Sequence, residues 1–274
     1  MSFLHKAARL SLPTYSRRFH STSTSRPSSH LRHLVWGTGF LLTAASIPFF
    51  SRTVRLDAEP GSLSVESKAD STIDPATGIE FPNVIRVAAK FNVPLLSLVG
   101  VGVRTVSFLG IKVYSVGFYA DLNNPKLKIT PEMTPDEKIS EIVSKSACVV
   151  RIVPTRNTSY SHLRDAFVRA LHARLNDGRK ASTVTEDQAL EIGFPMRKLK
   201  TLFPNSPLTK HTPLDVFLSE PVSGKPRSLI FRDLGAIEDD WVAVEFVLHY
   251  FEGEGLSPPL KKEVVKQLEH FEKS

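Results

Sequence analysis

Hydrophobic positions along the chain fall into three regimes. Between Leu34 and Phe50 the sequence LVWGTGFLLTAASIPFF runs for 17 residues without a charge, bounded by Arg32 and His33 before it and Arg52 after it. A helix of that length spans roughly 26 Å, the short limit for crossing a bilayer, so residues 34–50 are expected to form a transmembrane helix. Trp36 and Pro48 lie near its two ends, where an interfacial aromatic and a helix-weakening residue are tolerated. Residues 51–76 then turn polar, rich in Ser, Asp, Glu and Pro, and read as a linker. From residue 77 to 274 apolar positions recur with the periods of strands and helices, as in one folded domain.

Within that domain, LLSLVGVGVRTVSFLGIKVYSVGFYADL, from Leu95, is dense in Val, Ile, Phe and Tyr and predicts two adjacent strands joined by a turn at Gly110. Alternation puts Val99, Val101, Val103 and Thr105 on one face and Gly100, Gly102 and Arg104 on the other. Two missing side chains beside a guanidinium leave room over the sheet for a ligand to lie against the cation. Tyr114 and Tyr119 are expected on opposite faces of the second strand. Ser161 is the expected N-cap of a helix through Asn176, with Gly178 just past its end. A second helix starts near Thr185, and Gly193 and Pro195 are expected to break or kink it. Strands follow at Leu214 to Leu218 and Ser228 to Phe231. Helices at Trp241 to Phe251 and Pro258 to Phe271 close the chain, the last with Ser257 as N-cap. This order predicts an α+β fold, an antiparallel sheet with helices on one face.

Charge changes the picture at the N-terminus. Lys6, Arg9, Arg17, Arg18, Arg26 and Arg32 account for six of the seven net positive charges, and residues 1–33 contain no acid. That stretch has the composition of a mitochondrial presequence, and Arg17-Arg18-Phe19-His20-Ser21-Thr22 resembles a processing site. The remainder is near neutral, which argues against a nucleic-acid partner. Basic residues before the apolar segment and acids from Asp57 onward predict, if the segment stops transfer, insertion in the inner membrane with the domain facing the intermembrane space; a bipartite signal cut after the segment would instead release a soluble protein. Cys148 is the single cysteine, so disulfides within the chain and thiolate zinc clusters are excluded; it sits in a strand-like run as a small core residue. Strong enzyme signatures such as G-x-S-x-G, a Walker loop or H-E-x-x-H are missing, and no metal ligands are assigned.

Four fragments in order carry a resemblance: the strand GVGVR, the strand K-x-Y-S-V-G-F-Y, a P-x5-Y run leading into a helix, and G-L-S-P opening the terminal helix. Over Thr77 to Ser274 the chain resembles chalcone isomerase and, with its leader, the fungal mitochondrial members of that family. In the plant enzymes a phenolate adds within the molecule to an unsaturated ketone, held by an arginine and by tyrosine and threonine hydroxyls, a case of electrostatic preorganisation. Arg104 matches that arginine and Tyr160 the tyrosine. The threonine position appears as Tyr114, the lysine and asparagine positions fall on Leu163 and Phe167, and the late Thr or Ser position falls near His249. A pocket that has exchanged polar contacts for apolar bulk suits a flavonoid poorly. The fatty-acid-binding branch uses an Arg/Tyr pair to grip a carboxylate, and fungal relatives are regarded as haem proteins. The resemblance therefore implies a membrane-anchored mitochondrial protein binding an apolar anionic ligand, fatty acid or haem. Arg104 and Tyr160 would grip it, and Tyr114, Gly100, Gly102, Leu163, Phe167 and His249 would line the site. The alternative is an intramolecular lyase on an unidentified substrate, with Arg104 and Tyr160 as catalytic residues.

Overall fold

The computed structural model describes residues 70–87, 93–106 and 109–273. The expected presequence (1–33), transmembrane helix (34–50) and most of the linker lie outside the described residues. Among the described residues no helix is long and apolar enough to cross a membrane.

In chain order these residues form β1 (Ser71–Ile73), β2 (Glu80–Pro82), β3 (Val84–Arg86), β4 (Leu95–Val106), β5 (Ile111–Ala120), α1 (Pro135–Lys145), β6 (Cys148–Pro154), β7 (Thr158–Ser159), α2 (Tyr160–Lys180), α3 (Glu186–Leu202), β8 (Pro207–Leu208), β9 (Leu214–Leu218), β10 (Ser228–Phe231), β11 (Gly235–Glu238), α4 (Asp240–Leu248) and α5 (Pro258–Leu268). Seven strands make one antiparallel sheet in the order β11-β10-β9-β6-β5-β4-β3. Its centre, β6, reads CVVRIVP and is buried at every position, which explains the unbroken apolar run in its sequence. Cys148 is fully buried there, and burial pushes its thiol up to about 12, so it packs rather than reacts.

The helices cover one face. Register places Phe118, Val150 and Val216 in a row across β5, β6 and β9, and this row packs against Leu163, Phe167 and Leu171 of α2 and Val242, Phe246 and Val247 of α4. Phe167 meets Phe246 edge to face at 4.9 Å and lies near Phe203 and Phe231. The opposite face is covered from the N-terminal side: Phe81, Ile85 and Leu96 pack with Tyr119, Val149 and Phe217. There the buried Asp74 accepts bonds from Ser115 Oγ (2.6 Å) and Thr77 Oγ1 (2.7 Å), fixing the β1–β2 hairpin to β5. Residues 70–76, expected as the end of a linker, are thus part of the fold.

Several local expectations change. The N-cap of α2 is Ser159, whose side chain accepts from His162 N, and the helix runs on through Gly178 to Lys180. α3 is continuous across Gly193 and Pro195, started by a Thr185/Gln188 capping box; packing of Ile192, Met196 and Leu199 outweighs the single lost N–H. A register shift between Leu98 and Gly100 moves Val99 onto the helix face, away from Val101. The turn at Gly110, with φ of 63°, stands as expected.

Candidate functional site

β4 and β5 place Arg104 directly opposite Tyr114, so the two share the helix face. The guanidinium carbon lies 6.0 Å from the Tyr114 ring centroid. Among the described residues Arg104 has no carboxylate partner, which sets it apart from Arg151 at the sheet centre. Arg151 is gripped by Asp215 at 2.6 and 3.0 Å and lies under the Tyr119 ring on the opposite face. Tyr114 and Tyr119 do lie on opposite faces.

The end of α4 supplies the rest of the cluster. Val242, Phe246 and Tyr250 follow one another at helical spacing on the buried side. Tyr250 therefore points inward although it stands one residue past the cap, His249. Burial raises the Tyr250 hydroxyl well above the ordinary phenol range; the neighbouring Tyr114 adds to this and Arg104 opposes it. Tyr114, likewise buried, is raised by desolvation and partly offset by Arg104 and Tyr250. Both phenols are neutral at physiological pH, and the buried Tyr250 hydroxyl faces that of Tyr114 without a hydrogen bond of normal length. His249 is half-buried, and its imidazole is lowered to about 4 by desolvation and by the charges of Arg174 and Arg104. Arg174 itself is paired with Glu245 and Glu252, so its charge is compensated. A cation, two neutral phenols and a neutral imidazole thus converge between β4, β5 and the end of α4.

The other expected site residues separate from this group. Tyr160 opens α2, its N–H donating to Ser206 O, and the charged groups acting on its phenol are Asp233 and Arg232. The tyrosines that act on Arg104 are Tyr114 and Tyr250, and among the described residues no contact joins Tyr160 to that cation. Gly100 and Gly102 do not leave space for a ligand. A Cβ on Gly102 would lie 2.2 Å from Leu260 N, and one on Gly100 would lie 2.7 Å from a Val264 methyl. The glycine stripe is the seat of α5, whose backbone approaches the sheet too closely for any side chain. Ser257, capping α5, adds a bond from its hydroxyl to Val103 O at 2.8 Å, one residue before Arg104. Leu163 and Phe167 belong to the aromatic and aliphatic core between α2 and the sheet.

With that geometry in place, comparisons with known proteins give the following. A family model described as chalcone isomerase like matches residues 95–134 and 126–265. "Altered inheritance of mitochondria protein 18, mitochondrial" of Debaryomyces hansenii is 24% identical over 294 residues, covering 95% of each chain. The protein of the same name in Saccharomyces cerevisiae is 26% identical over 53% of this chain and 54% of its own. An uncharacterised protein of Schizosaccharomyces pombe is 36% identical over 38% of this chain and 46% of its own length. Among solved structures, an Arabidopsis thaliana fatty-acid binding protein superposes with a TM-score of 0.54 at 17% identity, covering 72% of this chain and 96% of that one.

Proposed function

The chain belongs to the chalcone-isomerase-like family, and from that premise we propose that it is a binding protein for an apolar ligand with one anionic head, such as a fatty acid. The observation that carries this reading is Arg104, uncompensated among the described residues, beside the neutral phenols Tyr114 and Tyr250. A carboxylate there would neutralise the guanidinium and accept from the phenol hydroxyls. The fatty-acid binding protein of Arabidopsis thaliana with the same fold supports the ligand class. The relatives named as mitochondrial support a mitochondrial location. Residues 34–50 would hold the domain at the inner membrane, facing the intermembrane space.

Native mass spectrometry and lipid extraction of the purified full chain test this reading. Wild-type protein is expected to carry a stoichiometric acyl chain. Arg104→Ala is expected to lose it, and Tyr250→Phe to bind about tenfold more weakly, the cost of one hydrogen bond to a charged acceptor. A wild-type protein free of lipid that turns over a chalcone, with turnover abolished by Arg104→Ala, would instead establish the intramolecular lyase. A second binding reading rests on His249: it is held in the neutral form that ligates iron, and it stands near the Arg104 charge, which suits a propionate. Haem bound there would supply iron chemistry, and a Soret band in the purified chain, shifted by His249→Ala, distinguishes it from the acyl reading.

A further inference from the structure

Packing of α3 leaves one continuous face to solvent, made by Asp187, Leu190, Glu191, Phe194, Arg197 and Lys198. Leu190 is 72% exposed and Phe194 69%, one turn apart at the middle of the helix. The helix dipole accounts for acids at the start of α3 and bases at its end. It does not account for two bare apolar side chains between them. The Arg197 guanidinium lies 4.5 Å above the Phe194 ring, and a Cβ on Gly193 would meet only an Arg197 nitrogen within 4 Å, so the ground beside the apolar pair is low.

We propose that this face is a homotypic interface, on which α3 of a second copy packs antiparallel. A two-fold axis across the middle of the helix brings Leu190 and Phe194 of one copy against those of the other. It also lays Arg197 and Lys198 of each over Asp187 of its mate, with Glu191 beside the apolar pair, whereas a parallel arrangement would oppose like charges. The flank beyond Glu191 is a cleft of about 350 Å³ bordered by Glu238, Asp239 and Asp240, which deepens the negative potential that a facing lysine meets. An anionic bilayer suits the face less well, because Asp187 and Glu191 would be pressed against it together with the bases. The proposal does not depend on the identity of the ligand at Arg104.

Mixing of two differently tagged full-length chains in mild detergent tests it, read by co-capture and by sedimentation velocity. The wild type is expected to self-associate, and Asp187→Lys with Glu191→Lys to weaken this about tenfold or more. Arg197→Glu with Lys198→Glu is expected to do the same, and the two double variants mixed together to associate again. The mixed sample guards against misfolding, since only folded faces recover. A wild type that stays monomeric at all concentrations, or variants that self-associate as well as the wild type, would overturn the proposal. So would binding to anionic vesicles, lost in Phe194→Asp, without self-association.

Discussion

His249 stands where a solvent-exposed histidine would be protonated in mild acid, yet its surroundings hold it neutral down to about 4 from an ordinary 6.5. Between those values the unfolded chain binds a proton that the folded chain refuses, so stability falls as pH drops from 6.5 to 4 and this contribution levels off below. Replacing His249 with Gln is expected to flatten the acid limb of a urea-unfolding stability profile across that interval, with little change above pH 7. Part of this cluster was legible in the sequence. Arg104 stands out after a glycine-rich strand, and alternation alone separates Tyr114 from Tyr119. Tyr250 was missed although a signal existed: the spacing Val242, Phe246, Tyr250 continues the buried stripe of α4, and a phenol on a buried stripe must find a partner. Tyr160 is less legible, for the opposite reason. Its position before a helix is local information, but what its hydroxyl faces depends on Arg232 and Asp233, more than 70 residues away along the chain.

At the scale of elements, two glycines in one hairpin answer to different demands. Gly110 has φ of 63° and open space around it, so Gly110→Ala costs only the left-handed backbone term, about 1 kcal/mol. Gly102→Ala drives a methyl into the backbone of α5 and is expected to cost about 3 kcal/mol, or to prevent docking of that helix altogether. Thermal unfolding of the two variants side by side, with tryptic cleavage near residue 257 as a readout of α5, separates these outcomes. The strands at Leu214 to Leu218 and Ser228 to Phe231 and the Ser257 cap were legible because they rest on local chemistry. α1 drew no expectation although Thr134-Pro135-Asp136-Glu137 spells a capping box. Its short apolar stripe, Ile139, Ile142 and Val143, is flanked by Lys138, whose buried ammonium donates to the carbonyls of Leu268, Glu269 and Phe271 at the end of α5. A buried lysine reads as surface until the helix it caps is known.

At the scale of the whole molecule, the α+β architecture followed from element order, because an antiparallel sheet with helices gathered on one face has few ways to bury its apolar rows. What order could not decide was whether a helix or a ligand fills the space over Gly100 and Gly102, since both leave the same gap in the sequence. The segment 34–50 makes a claim at this scale too. The full chain is expected to stay in the pellet after alkaline carbonate extraction of mitochondria, and a chain with Leu41 and Leu42 both changed to Arg is expected to be released. Release of the unmodified chain would show that its apolar stretch does not anchor it.

The closure of α5 over the glycine stripe also imposes an order of events. Ser257 and Val103 touch across 154 positions, so a polypeptide threaded amino end first through a membrane pore delivers its cationic strand long before the helix that roofs it. During that interval β4 carries a bare, narrow channel of backbone bordered by valines, an attractive surface for another strand or for a chaperone. Closure over the glycine stripe therefore waits for α5, and any cleavage or stop codon ahead of Pro258 leaves a sheet whose most hazardous strand has lost its cover.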